Sequence, residues 1–515
     1  MSQKKAITTK LEQLIDNDGK LIIPDDITTL YADMFKDCWE LKHVVLPKGL
    51  KHIPSHAFKN TALHTIEFND CLESIGDSAF SNCRLKSVNI PNSVTTIGNQ
   101  AFFDNYHLTD IKLPKSILSI GVAAFSHCAK LKFINLPPQL TELSDQLFQG
   151  CTGLVEVIMP NHITTLGEMT FKNCFKLTTI SLSNTIIEIG KECFSSCKQL
   201  IHCVLPNTLT HLPQYTFQCC TSLIDVTLPK TLIDIGPGCF YQCESLQHVN
   251  LPNSVLTIGF CAFESCTQLS TIKLPKQLKT LKDRTFRASG LTSIKLPDSL
   301  ITMGNSVFED CGQLTTIKFS KNMSVIPART FYDCESLITL VIPNHIRKIG
   351  QDAFAGCSNL VNIKLPNSLT HIFAFAFSRC IKLEHITFPK NVGYIGTPLY
   401  GGSTILQQCT SLKTIPQKGK TINVKCIDGF IMIIHAEKLY GNLLIQKVTY
   451  FYTQDQCFIA SGTMINKSGN ECQYNAHGDT LRDAISALTF KMDKNRDVSE
   501  HVARIKAKGT MTSNV

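Results

Sequence analysis

The sequence predicts a repeat solenoid of about seventeen coils with a parallel sheet along one face, followed by a small C-terminal α+β domain. Three observations carry that expectation. Phenylalanine recurs sixteen times, through Phe35, Phe58, Phe80, Phe102 and on to Phe377, at an interval of 23 residues that shortens to 22 three times. A fixed period in this range is the mark of stacked supersecondary units. Between the phenylalanines, Leu, Ile and Leu-Pro return at the same offsets in copy after copy. The composition is skewed as repetition would skew it: 515 residues hold one Trp beside 29 Phe and 23 Cys, with 43% hydrophobic and 18% charged residues. Such a chain buries a large core and is not intrinsically disordered.

Each element of the unit has a physical reason, taken in order from Ala262-Phe263 through Cys266, Leu269, Ile272, Leu274-Pro275, Leu278 and Leu281. The L-x-x-I-x-L stretch alternates apolar and polar residues at period 2, so it reads as a short strand with one face buried. Proline follows, as in Leu46-Pro47, Leu113-Pro114 and Leu205-Pro206; lacking an N–H, and with φ fixed, it stops the strand ladder. Asn or Lys comes next, as at Asn92, Asn161, Asn253, Lys115 and Lys230, and suits a solvated turn. A second apolar pair returns the chain to the core. An Ile-Gly step, as at Ile75-Gly76 and Ile235-Gly236, supplies a backbone position free of side-chain constraint, and Phe then fills the convex side. One unit cannot bury its own apolar side, whereas stacked copies make a continuous core. At about 4.8 Å per strand the strand surface is on the order of 80 Å long, enough for a macromolecule.

Leu, Ile, Leu-Pro, Ile-Gly, Ala-Phe and Cys at this spacing resemble the BspA-like leucine-rich repeat family over residues 21–415. The resemblance implies a curved leucine-rich-repeat array used for binding, often as an adhesin or antigen on the surfaces of bacteria and protists. It implies no catalytic residue and no cofactor.

The domain reading is an N-terminal arm or cap over residues 1–20, the solenoid over 21–415, an α+β domain over 416–493 and a mobile tail over 494–515. Leu21-Ile22-Ile23-Pro24 and Leu30 form a partial unit that closes the first coil. At the other end, Thr397 to Ser403 lengthen the last coil before Cys409 and Leu412, as befits a capping repeat. Beyond it, Asn423–Cys426 and Phe430–Ile434 flank Asp428-Gly429, a hairpin signal. Residues 440–452 and 456–465 read as further strands. Leu481, Ala484, Ile485, Leu488 and Met492 recur at helical spacing behind Thr480, a capping-box position.

Thirteen of the sixteen phenylalanines have Cys three residues later, the exceptions being Thr61, Asn105 and Ser289. Seven consecutive coils, Cys128 to Cys266, carry it. Stacked neighbours come within the Cα separation that a disulfide tolerates, but the repeat frame itself places them, and small buried residues with a weak S–H donor account for the pattern. The C-x-x-x-C pairs Cys193/Cys197 and Cys239/Cys243 arise from the same frame and lack the second ligand pair of a zinc site. No metal is expected.

The residues flanking the central Ile of each strand point away from the core, toward the concave surface, and are the ones that choose a partner. After that Ile come Lys112, then Lys273, Lys295 and Lys318, Val341, and Lys364. Before it lie His43, His202, His248 and His385, with Asp110, Glu156 and Asp225. A row of lysines repels itself unless an acidic ligand offsets it, so Lys273, Lys295, Lys318 and Lys364 are the candidate binding residues and an acidic protein the expected partner; a solvated polar face is the alternative. Nucleic acid is disfavoured: the net charge of +9 is spread as +5 over residues 1–415 and +4 over 416–515, with no basic block or interleaved aromatics. Gly478, Asp479 and Thr480, at the predicted helix entry, form a candidate anion site.

The expected function is therefore a non-catalytic protein-interaction scaffold. A BspA-type surface adhesin or antigen is the alternative. A third reading is an enzyme using Cys457 or Cys472 with His435 or His477. No signal-peptide-like apolar stretch follows the basic N-terminus, and no run reaches the ~18 apolar residues of a membrane span. The expected location is the cytoplasm, with the cell surface reached by an unconventional route as the alternative.

Overall fold

The computed structural model describes residues 3–390, 392–395, 405–417, 420–427, 430–440, 443–450, 456–465, 471–479, 483–488 and 491. The chain is a parallel-strand solenoid of about sixteen turns, divided at Cys311 into two compact units.

The first unit opens with a helix, Gln3–Glu12, that the sequence reading leaves as an undefined arm; Ile7 and Leu11 carry its signal at i and i+4, and Leu11 is buried. Lys20–Ile22 then pairs in parallel with His43–Val45, and that strand with Thr65–Glu67, so Leu21, Val44 and Ile66 fall in one row. The expected period-2 pattern is present: in Ser87–Asn89, Asp110–Lys112 and Ser293–Lys295 the central residue is buried and both neighbours are exposed. Proline ends most of these strands by opening a turn, its carbonyl accepting the N–H three residues on, as in Pro91 to Val94 (3.1 Å) and Pro206 to Leu209 (3.2 Å). Two of the expected strands, around Ile180 and Ile272, are extended without being paired as strands.

A second parallel sheet, absent from the sequence reading, is built from the apolar pair after the proline turn. His52–Ile53, Ser74–Ile75, Thr96–Ile97 and Ser119–Ile120 form one run of it, and His211–Leu212 through Thr302–Met303 another. The glycine that follows has a different role from the expected conformational freedom. A Cβ on Gly236 would lie 2.7 Å from the Leu212 carbonyl oxygen and 2.8 Å from the Gln214 nitrogen of the preceding turn. Glycine is there because successive backbones leave no room for a side chain.

The positive φ angles sit elsewhere, two residues before and two after each phenylalanine: 59° at both His56 and Asn60 around Phe58, 52° and 54° at Ser78 and Asn82 around Phe80. Both flanks and the phenylalanine between them donate N–H to the next turn, as His56 to Asp77 (2.8 Å), Phe58 to Ala79 (2.8 Å) and Asn60 to Ser81 (2.9 Å). These bonds hold residues that are not glycine in a conformation that otherwise costs about 1–2 kcal/mol each. The rings between them are fully buried and stacked nearly parallel, with centroids 5.4 Å apart from Phe35 to Phe58 and Phe58 to Phe80, 5.6 Å from Phe171 to Phe194, and 5.2 Å from Phe240 to Phe263. Such spacings are those of favourable offset stacks.

In the second unit the pattern continues with Thr339–Val341, Asn362–Lys364 and His385–Ile386, paired in parallel, and with Phe331, Phe354 and Phe377 stacked at 5.3 and 5.5 Å. The sheet does not stop there. His385 pairs in parallel with Thr414, and Thr414–Gln417 pairs antiparallel with Lys420–Ile427. Phe430–Tyr440, Leu443–Tyr450, Gln456–Ile465 and Glu471–Gly478 follow, each antiparallel to the one before. Ile427 lies opposite Phe430, where the Asp428-Gly429 signal predicts a hairpin. The strand expected from Tyr440 to Tyr452 is in fact split: Tyr440 ends one strand and lies opposite Leu443 at the start of the next, and Gly441-Asn442 is the hairpin signal that marks the break. Residues 483–488 are helical, with Ala484 and Leu488 buried. The elongated cap at 397–403 and the tail at 494–515 lie outside the described residues.

Two glycines test the spacing argument. Gly236→Ala is expected to destabilise the protein by about 1–3 kcal/mol through overpacking against the preceding turn. Gly312→Ala, where a Cβ meets nothing within 4 Å, is expected to be neutral or to stabilise by up to about 1 kcal/mol. Thermal unfolding of the two variants beside the parent checks this; equal losses would contradict it.

Candidate functional site

The strand face presents two exposed positions per turn, one on each side of the buried central residue. In the first unit, Lys273 and Lys295 occupy the second of these positions in adjacent turns and line a depression of about 640 Å³ together with Lys276, Pro297, Asp298 and Ser299. In the second unit, Lys318 and Lys364 are exposed at the equivalent position, and Lys364 lies in register with Val341. Among the described residues none of these four lysines has an ion-pair partner.

The middle of the first unit carries a different surface. Phe133, Ile158 and Val204, which the sequence reading passes over, are exposed on the strand face. A depression of about 310 Å³ is lined by Asp110, Lys112, Phe133, Asn135, Glu156 and Ile158. The signal was present as large apolar residues at flanking positions where the repeat is otherwise polar. Alongside, His202 Nδ1 lies 2.7 Å from Asp225 Oδ2, and Asp225 is in register with His248.

The cysteine ladder faces inward and has one recurring partner. Cys128 Sγ donates to the Phe102 carbonyl at 3.3 Å, Cys151 to Phe125 at 3.1 Å, Cys197 to Phe171 at 3.2 Å and Cys243 to Phe217 at 3.0 Å, each reaching the preceding turn. The same carbonyl already accepts the N–H of its own turn's cysteine, as from Cys128 to Phe125 at 3.2 Å, so both of its lone pairs are used. Where cysteine is missing, Asn105 Nδ2 reaches the Phe80 carbonyl of the preceding turn at 2.7 Å, whereas Thr61 Oγ1 donates to the Phe58 carbonyl of its own turn at 2.9 Å. The position selects a small donor, and thiol chemistry plays no part in it. Cys197 and Cys243, members of the two C-x-x-x-C pairs, are committed in this way. Buried charge occurs where Arg287 contacts Glu264 (3.0 Å), Glu309 (3.4 Å) and Asp310 (2.8 Å), one guanidinium shared among three carboxylates, two of them buried.

In the C-terminal strands, Cys457 lies opposite Val448, Cys472 opposite Met464 and His477 opposite Ile459, while His435 falls at the bulge between Ile434 and Ala436. The register pairs neither thiol with an imidazole. Gly478 closes its strand opposite Phe458, Asp479 is exposed in a bend, and Thr480 lies outside the described residues.

Two parallel strands per turn, a buried Phe stack and a Cys donor ladder define a specific repeat, and the model of the BspA-type leucine-rich repeat region matches residues 28–155, 151–266, 234–339 and 324–437. The chain belongs to the BspA-type leucine-rich repeat family. Among solved structures, this BspA-type chain is similar to a leucine-rich repeat protein from Bacteroides ovatus, with 30% identity over 64% of this chain and 86% of the other and a TM-score of 0.60. A leucine-rich cell surface protein from Faecalibacterium prausnitzii shares 28% identity over 61% of this chain and 89% of that one, with a TM-score of 0.40. No curated protein matches the chain. Among the described residues no helix is long and apolar enough to cross a membrane.

Burial pushes the thiols up from an ordinary value of 9.0, to about 11 at Cys83 and about 12 at Cys151 in the ladder, and to about 12 at Cys203 and Cys239 outside it. The folded state therefore holds protons that the unfolded state releases above pH 9, and its stability falls as pH rises from 9 toward 12. Thermal melts across that window should show the loss, and replacing Cys128 through Cys266 of the ladder with Ala should flatten it. A parent melting temperature that stays constant from pH 9 to 11 would contradict the assignment.

Proposed function

We propose that this protein is a non-catalytic interaction scaffold that binds a protein partner, acidic where it meets the lysines, on the strand face of its repeat array. The observation that carries this reading is the set of exposed lysines at one repeat position, Lys273, Lys295, Lys318 and Lys364, which among the described residues have no carboxylate ion-pair partner, two of them lining a depression of about 640 Å³. Like charges held in this way oppose folding slightly and are offset when an acidic surface docks. The repeat leaves these positions unconstrained, while every core position is fixed by the stack.

A reducing, intracellular setting is part of the proposal. Among the described residues the ladder cysteines carry no disulfide, and S–H groups such as those of Cys151 and Cys197 must be present to donate to their carbonyls; oxidation to disulfides would remove those donors, and such bonds persist in oxidising compartments. Protease shaving of intact source cells should leave the protein untouched, and its digestion there would move the scaffold to the cell surface.

Affinity capture from source-cell lysate tests the binding reading, using the full chain beside a variant carrying Lys→Glu at all four positions. The variant should remain folded by circular dichroism and lose an acidic protein that the parent retains. Capture unchanged by the four substitutions would overturn the role of the lysines.

A further inference from the structure

The lysines occupy one part of the strand face; the middle turns of the first unit carry a surface of opposite character. Phe133, Ile158 and Val204 are 57%, 56% and 64% exposed there, where the repeat places polar residues. Phe133 lies in register with Glu156, and Asn135 with Ile158. Three depressions, of about 310, 240 and 480 Å³, run from Asp110 to Val204 and share Glu156. They form one trough.

Its charge is complementary to a cation. Asp110 and Glu156 stand on either side of Phe133 in sequence order of turns, and among the described residues neither has an ion-pair partner. Lys112 lies at the N-terminal edge, at the other flanking position of the Asp110 strand. Covering Glu156 with an uncharged surface would strand a carboxylate. An arginine or lysine satisfies both carboxylates while its head or stem lies on the exposed Phe133 ring. Ile158 and Val204 then require apolar cover.

The spacing sets the order of the occupant's side chains. Ile158 is one turn beyond Phe133 and Val204 is three turns beyond it. At about 4.8 Å per turn, and with Ile158 and Val204 displaced two residues along the strand from the Phe133 position, these steps are roughly 8 and 16 Å, which an extended chain at about 3.3 Å per residue covers in about three and five residues.

We propose that this trough binds an extended segment of a protein partner, laid diagonally across the strands, with an arginine or lysine over Phe133 between Asp110 and Glu156 and aliphatic side chains about three and five residues later over Ile158 and Val204. The proposal rests on the strand face being the binding surface, and it does not depend on the lysines of the preceding section.

A display library of randomised linear peptides, selected on the full chain, tests it. Enriched peptides should carry a basic residue followed by aliphatic residues at that spacing. Fluorescence anisotropy with the most enriched peptide should show a loss of about tenfold or more for Glu156→Lys and for Val204→Asp, both exposed changes whose folding is checked by circular dichroism. The Lys273→Glu, Lys295→Glu, Lys318→Glu, Lys364→Glu variant should bind that peptide as the parent does. Failure to enrich any peptide, or enrichment of basic-aliphatic peptides insensitive to Glu156→Lys and Val204→Asp, would overturn the trough assignment. Enrichment of acidic peptides lost only in the lysine variant would overturn it while upholding the lysine surface.

Discussion

The distance from one turn to the next is the constraint on which the rest of the structure depends. Parallel strand pairing sets it near 4.8 Å, and three features occupy the space it leaves. Phe rings stack at 5.2 to 5.6 Å between centroids over Phe171 to Phe263. The Ile-Gly step brings backbones so close that no Cβ fits at Gly76 or Gly236. A cysteine at the third position after Phe reaches the carbonyl of the preceding turn. Any drift in spacing would loosen the stack, relieve the glycines and break the thiol bond together, so each repeat is held to the same dimensions as its neighbours.

That rigidity divides the sequence into positions that the stack dictates and positions that it leaves free. The flanking residues of the first strand belong to the second kind: they touch solvent, vary from turn to turn, and form surfaces as different as the Phe133–Val204 trough and the Lys273–Lys295 depression within one unit. In the second unit the sheet that starts at Thr339–Val341 passes from parallel to antiparallel pairing at Thr414–Gln417. The C-terminal strands thereby cover the edge that the last parallel strand would otherwise expose, which is how repeat arrays avoid edge-to-edge association.

The period, the strand and the buried face of L-x-x-I-x-L were legible because they depend on side-chain polarity, which sequence displays directly. The second sheet was not, because two-residue strands are too short to show a period. The paired positive φ angles around each Phe were hidden for a different reason: Asp, Asn, Ser, His, Gln and even Tyr215 and Met169 occupy them, so no residue type announces the conformation and only the N–H bonds to the next turn reveal it. The glycine was noticed but its reason lay in a neighbouring turn. Of the candidate surface, the lysines were visible as a charge at a fixed offset, whereas Phe133, Ile158 and Val204 lie at outward positions without a recurring residue type to mark them.

The central claim is that the stack fixes the scaffold and the strand face does the recognition. Hydroxyl-radical footprinting of the full chain, alone and bound to a captured partner, tests it most directly. The account predicts protection at strand-face side chains such as Phe133, Ile158, Val204, Lys273 and Lys295, with no change at Leu118, Ile187 and Ile301, which are exposed beside the second sheet. Protection at those three residues with the strand face unaltered would contradict it.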